Sequence, residues 1–361
     1  MHQKSPGDLP PLRSTLDLER ILEFEFVRAT ENAALQAIHW LGRGEKERAD
    51  AAACRAIYGV FDLLDVCGEV VIGEGIKDRA PGIFLGEQLG TWTPGAPRFN
   101  IALDPIDGTT NIAKGLPNAI SVIAAAQVPD GAPSSMVNIP SFYSRKIAYG
   151  PAVKRALQQQ GDRCFLDMPL REAVAFAAAV LGKQVRDVVV MTMDRTRHQG
   201  LIEEIRSTGA ALRMISDGDI TAAVAPSLPD SGVDLYIGIG GSPEGVLAAA
   251  ALKCLGGDMQ LRMWFSHEDA EHRAEVEATL APSEIDRVFR SDDLVIGASS
   301  LFCASGISDS ALLPGVKLIG NRVETHSILM RARSGTVRHI HAVHHLDRKI
   351  VPLRESAFPG F

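Results

Sequence analysis

The 361 residues carry 44 acidic against 37 basic side chains, a formal charge of −7, which excludes a general binder of nucleic acid but not a small anion held by local arginines or metal. That length, 46% hydrophobic, provides for a large core and two α/β units. Five cysteines, odd in number and without CxxC or Cys/His spacing, exclude a zinc ribbon and point to reduced, mostly buried thiols in a cytoplasmic protein. Residues 1–17, with Pro6, Pro10 and Pro11, read as a mobile tail with no secretory signal. A helix is predicted from about Leu18 to Trp40 on the apolar spacing of Leu18, Ile21, Leu22, Val27, Ala33, Leu35 and Ile38, ended by Gly42-Arg43-Gly44. A second, from about Glu45 to Leu64, carries Asp50 in its first turns. Strands near Val70 and Ile101 follow. The apolar run Ala119 to Val128 reads as a strand paired with Lys146 to Tyr149, with Pro129-Asp130-Gly131 breaking the chain between them. After about Gly161 short β-runs alternate with helices at Leu170–Leu181, His198–Ser207, Asp219–Ala225 and Glu244–Leu255, which implies a mainly parallel sheet. The stretch His267 to Asp286 reads as a charged peripheral helix and Val337 to Val343 as a last strand. The expected fold class is α/β, with an α+β half over residues 18–160 and a mainly parallel α/β half over 161–361. No apolar run is long enough to span a bilayer.

Five strand-like runs end in carboxylates, glycines or arginines and open into helix-like segments, where α/β proteins bind ligands. The sharpest is Asp104-Pro105-Ile106-Asp107-Gly108-Thr109. Two carboxylates three residues apart can point to one side across a turn set by Pro105, and Gly108 allows close approach of a ligand. Hard divalent cations take such oxygens; Asp107 also reads as a helix N-cap. Glu74, between Gly73 and Gly75, is either a turn acid or a metal ligand, and Asp50 either a solvated helix acid or a ligand. Gly238 to Gly245 reads as an anion cradle leading into a helix with Pro243 near its start, without the GK[ST] of a nucleotide P-loop. Glu244 there either complements the helix dipole or binds metal. Arg195-Thr196-Arg197 suits phosphate oxygens, and Asp217-Gly218-Asp219 reads as a turn or as a carboxylate for sugar hydroxyls. The four histidines His339, His341, His344 and His345 follow strand alternation better than a zinc pattern.

Taken together these strings resemble the class II fructose-1,6-bisphosphatases, the GlpX-like family, which includes bifunctional fructose-1,6-/sedoheptulose-1,7-bisphosphatases. The likeness runs from about Glu19 to about Lys349. It is carried by Glu31-Asn32-Ala33-Ala34, Ala49-Asp50, Ile72-Gly73-Glu74-Gly75, the Asp104–Thr109 string, Gly240-Gly241-Ser242-Pro243-Glu244-Gly245 and Leu346-Asp347-Arg348-Lys349. The resemblance implies a layered sandwich of the sugar-phosphatase and inositol monophosphatase type. It also implies two divalent sites for Mn²⁺ or Mg²⁺, one on Asp50 and Glu74 and one on Asp104, Asp107 and Glu244. Asp107, Gly108 and Thr109 would face the scissile phosphate, with Thr109, Asp107 and Asp104 catalytic. Tyr143, Arg195, Thr196, Arg197, Asp217, Gly218, Asp219 and Gly241 would contact sugar or the distal phosphate. Some members carry Glu at the Asp107 position and Lys-Pro at Arg195-Thr196. The expected activity is hydrolysis of the 1-phosphate of fructose 1,6-bisphosphate by a metal-bound water, with sedoheptulose 1,7-bisphosphate a second substrate within the family. The expected form is a cytoplasmic dimer or tetramer with no nucleic-acid or membrane partner. An inositol- or nucleotide-phosphate phosphatase, a kinase and a non-catalytic metal binder are the alternatives.

Overall fold

The structure is a computed structural model that describes residues 18–73, 82–161, 163–265 and 270–354. In chain order its elements are α1 (Leu18–Ala37), α2 (Lys46–Phe61), β1 (Cys67–Ile72), β2 (Gln88–Leu89), β3 (Arg98–Asp107), α3 (Thr109–Lys114), β4 (Ile120–Gln127), β5 (Tyr143–Tyr149), α4 (Pro151–Gln159), α5 (Leu170–Leu181), β6 (Val189–Met193), α6 (Gln199–Thr208), β7 (Ala211–Ile215), α7 (Asp219–Val224), β8 (Leu235–Gly241), α8 (Ser242–Leu255), β9 (Asp258–Met263), α9 (Ala270–Thr279), α10 (Pro282–Ile285), β10 (Phe289–Arg290), α11 (Ser291–Leu294), β11 (Leu301–Gly306), β12 (Lys317–Ile319), β13 (Arg322–Arg331) and β14 (Thr336–His345). Among these residues no helix is long and apolar enough to cross a membrane.

The strands form two mixed sheets. The first runs β12-β13-β11-β4-β3-β1-β2, with β14 also beside β13; the second runs β10-β9-β5-β8-β6-β7. Alternation along β4 shows how the first sheet is held. Val122, Ala124 and Ala126 face one core with α7 and α8, while Ile123 and Ala125 face another with α1 and α2. A strand apolar at every position is one buried on both faces. The second sheet shares the α7/α8 core on one side and packs α4, α5 and α6 on the other. The layers are therefore helix, sheet, helix, sheet, helix. α8 sits at the centre and is apolar nearly all round because it has a sheet on either side, with Val246 to Leu252 all buried.

Two expectations change. The Ala119–Val128 run does not pair with Lys146–Tyr149. β4 pairs with β3 and β11, and β5 with β8 and β9. The Pro129-Asp130-Gly131 break starts the passage from one sheet to the other rather than a hairpin. The second sheet is also less parallel than the β/α alternation suggested. β6 runs parallel to β7 and β8, but β5 is antiparallel to β8 and β9, and β10 antiparallel to β9. In the first sheet β1 and β3 are parallel, and the other pairings are antiparallel. The position near residue 160 expected to divide the chain falls between β5 and β6, both in the second sheet, and β11 to β14 return to the first.

His339, His341 and His345 do alternate on the exposed side of β14, with His341 stacked on His326 across the ladder. Cys54, Cys254 and Cys303 are buried, Cys67 and Cys164 half-buried.

Candidate active site

Asp104 and Asp107 come to one side through a β-bulge. Asp104 pairs with Val122 and Asp107 with Ile120, three residues along β3 against two along β4. In a regular strand residues three apart point to opposite faces; the extra residue turns both carboxylates toward the cleft. The pair therefore ends a ten-residue strand instead of spanning a Pro105 turn. The chain then turns at Gly108, whose φ of +100° and close approach to the Asn118 carbonyl leave no room for a Cβ. α3 starts at Thr109. Asp107 does serve a helix N-terminus, but that of α7: its Oδ2 accepts the Ile220 N–H at 3.2 Å.

The opposite wall is the end of β8 and the start of α8. A Cβ on Gly240 would collide with the Asp219 carboxylate, and one on Gly241 with the Glu244 carboxylate. The glycines therefore leave space for two acids at the strand end. Pro243 occupies the first turn of α8, where its missing N–H costs nothing. Glu244 Oε2 is buried with no hydrogen-bond partner among the described residues.

The third side follows β6. The Arg197 guanidinium lies 4.4 Å from the Tyr143 ring centre, and its Nε donates to the Ile239 carbonyl at 2.9 Å. Arg195 Nη2 meets Asp217 Oδ1 at 2.9 Å. Fully buried His198 accepts the Ile239 N–H on Nε2 at 2.8 Å, so Arg197 and His198 grip both sides of one residue of β8. Burial, with Arg197 and Arg195 beside the ring, lowers the His198 pKa to about 4. The unfolded ring takes its proton near 6.5, so between those values the unfolded state binds more protons and stability falls as pH drops. We expect this group to remove about 2 kcal/mol between pH 7 and pH 5. Denaturant unfolding of wild type and His198→Gln at both pH values checks it: an equal pH loss in the variant would refute the assignment.

These walls enclose a cleft of about 1150 Å³ lined by Asp50, Asp104, Asp107, Thr109, Tyr143, Arg195, Arg197, Asp217, Asp219, Gly241 and Glu244. Gly108, Thr196 and Gly218 adjoin lining residues without lining the cleft themselves. Glu74 lies outside the described residues. Besides His198, residues that bear on the site and that the sequence reading did not single out include Lys46, Lys146 and Tyr236. Lys46 lines the cleft, and Lys146 and Tyr236 bind Asp219 from beneath. The available signal was slight: Tyr236 lies in an apolar run, whereas Lys146 follows Ser144 and Arg145 and reads as one more polar residue of its strand.

Burial and the neighbouring carboxylates of Asp217, Asp219 and Glu244 push the Asp107 pKa well above the usual carboxylate range. Burial likewise raises Glu244, with Lys146 the largest opposing influence. Among the described residues no three His, Cys, Asp or Glu side chains are gathered tightly enough to hold a metal ion. The donor set, carboxylates only with one buried oxygen lacking a donor, nevertheless fits a hard divalent cation.

The sequence pattern of the bacterial, glpX-encoded fructose-1,6-bisphosphatases matches residues 20–344. The fructose-1,6-bisphosphatase class 2 of Haemophilus influenzae is 39% identical over 340 residues, covering 91% of this chain and 98% of that protein. The fructose-1,6-bisphosphatase 1 class 2 of Escherichia coli K12 is 37% identical over 341 residues, covering 92% and 97%.

Proposed function

The chain belongs to the bacterial glpX-type fructose-1,6-bisphosphatase family, and from that premise we propose that its cleft hydrolyses the 1-phosphate of fructose 1,6-bisphosphate, releasing fructose 6-phosphate and phosphate. The observation that carries this reading is the meeting of acids from β3 and α8 with two arginines that follow β6 in one cleft. Acids with cations suit the reacting phosphate, and arginines suit a second, spectator phosphate.

Asp50, with Glu74, and Asp104, Asp107 and Glu244 are the residues that would hold two Mn²⁺ or Mg²⁺ ions. The bound ions supply charge neutralisation on the phosphoryl oxygens and a lowered pKa for water. Thr109 faces the cleft from the first position of α3, and its hydroxyl makes no hydrogen bond among the described residues. It orients the attacking water, helped by a neighbouring carboxylate. Water oxygen bonds to phosphorus as the bond to the sugar oxygen breaks in line; of the water's two protons one ends on the departing sugar oxygen, relayed through the cleft's carboxylates and solvent, and the other on the released phosphate. Tyr143, Asp217, Asp219 and Gly241 frame the sugar and Arg195 and Arg197 face the distal phosphate, while Gly218 and Thr196, next to them in the chain, set the backbone that presents them. A cytoplasmic homo-oligomer acting on sedoheptulose 1,7-bisphosphate as well completes the reading.

The test is phosphate release from both bisphosphates, side by side, with Mg²⁺ and with Mn²⁺. Release abolished by EDTA and restored by either ion is expected; no release from either substrate under any of these conditions would sink the reading. Arg197 is already oriented by the Tyr143 ring and the Ile239 carbonyl, so its contribution is to binding. Arg197→Ala is expected to raise KM for fructose 1,6-bisphosphate about tenfold with kcat changed by less than about threefold. Steady-state kinetics check this, and an unchanged KM removes Arg197 from the distal site.

A further inference from the structure

We infer that Lys146 is a positioning residue of this cleft, an internal cation that binds the acid-lined ends of α7 and β8 from beneath. Lys146 lies on β5 and is 1% exposed. A buried ammonium is tolerated only when it is paired and hydrogen-bonded. Its Nζ donates to Asp219 Oδ2 and, at 2.6 Å, to the Gly241 carbonyl. The other Asp219 oxygen accepts the hydroxyl of buried Tyr236. The Lys146 stem passes 3.7 Å from where a Cβ of Gly245 would stand, beside the first turn of α8 that carries Glu244. One side chain thus joins Asp219 of α7 to the last residue of β8, three positions before Glu244.

The acids of the cleft divide accordingly. Asp219 is neutralised by Lys146 and Asp217 by Arg195. Among the described residues, Asp107 and Glu244 make no ion pair, although both feel the charges of Asp217 and Asp219. Lys146 therefore separates an acid of the sugar-binding wall from the acids left for cations. It keeps Asp219 from adding its full charge to the Asp107–Glu244 side, and it holds Gly241 where the Glu244 carboxylate fits. The role rests on the functional reading above only for its activity readout.

The experiment is a double-mutant cycle of Lys146→Met, Asp219→Asn and both together, in full-length protein with Mn²⁺. The readouts are kcat and KM for fructose 1,6-bisphosphate and the thermal midpoints of metal-free and Mn²⁺-loaded protein. Each single variant is expected to lose at least about tenfold in kcat/KM, divided alike between kcat and KM, because the two side chains act as one unit. The double variant should lie within about threefold of the worse single, and its midpoint should recover at least half of what Lys146→Met loses. A folded Lys146→Met with less than a tenfold loss overturns the inference, as do losses that multiply in the double or a midpoint that does not recover. Where Lys146→Met does not fold, Asp219→Asn and the double are compared directly. Equality within about threefold supports the inference and a larger gap overturns it. Absence of phosphate release from wild type would count against the functional reading alone, since the thermal cycle still reports whether Lys146 and Asp219 form one unit.

Discussion

Glu244→Gln is expected to lower kcat for fructose 1,6-bisphosphate by about 10³-fold while raising the thermal midpoint of the metal-free protein. The two effects share one cause. Glu244 Oε2 is buried, has no hydrogen-bond partner among the described residues, and sits against the Cβ-less Gly241. Burial disfavours its charge most, Asp219 and Asp217 add like charge, and Lys146 and the residue's own backbone N–H oppose them. A carboxylate so placed destabilises the metal-free fold and is compensated when a divalent cation binds. The amide is nearly isosteric and carries no charge to bury, so it relieves the fold while weakening the cation site. Calorimetry with and without EDTA, beside a Mn²⁺ titration of activity, checks both halves. A variant that keeps wild-type turnover at low Mn²⁺, or one whose metal-free midpoint drops, contradicts the assignment of Glu244 as a ligand.

The second large effect is at Thr109. Thr109→Ala is expected to reduce kcat by on the order of 10²-fold with KM changed by less than about threefold, and Thr109→Ser to retain activity within about tenfold. Thr109 follows the bulged Asp104–Asp107 pair through the constrained Gly108 turn, so it lines the same cleft as those acids from a helix start. A hydroxyl that orients water acts mainly in the transition state, and its removal therefore appears in kcat. Serine keeps the oxygen but loses the methyl group that limits its rotamers. Near-wild-type turnover in Thr109→Ala takes the residue out of the chemistry, and a rise in KM equal to the fall in kcat/KM makes it a binding group instead.

Much of the lining of the cleft was readable from residues alone because it sits in short strings. The acids of β3, the glycine-rich end of β8 with Glu244, and the arginines after β6 all mark strand ends that open into helices. Helix positions were equally local. The spacing that predicted Leu170–Leu181 returned those bounds, since an amphipathic period and a C-terminal glycine act within a few turns. Gly182 closes that helix in the left-handed region.

Pairing was not readable in this way. An apolar run such as Ala119–Val128 declares that both its faces are buried, but many other strands satisfy that demand equally. Its neighbours, β3 and β11, were settled by the packing of α8 between two sheets and by the return of residues 301–345 to the first. The shared direction of Asp104 and Asp107 likewise depended on a bulge, which exists only relative to the partner strand β4. Lys146 and His198 were unremarkable letters until the fold supplied Asp219 and the Ile239 peptide, 73 and 41 residues away. Side-chain type and periodicity act over a few residues and identify groups capable of binding phosphate and metal. Which distant groups meet, and which acid receives an internal cation rather than an external one, depends on buried contacts between segments far apart in the chain, and those form only in the tertiary structure.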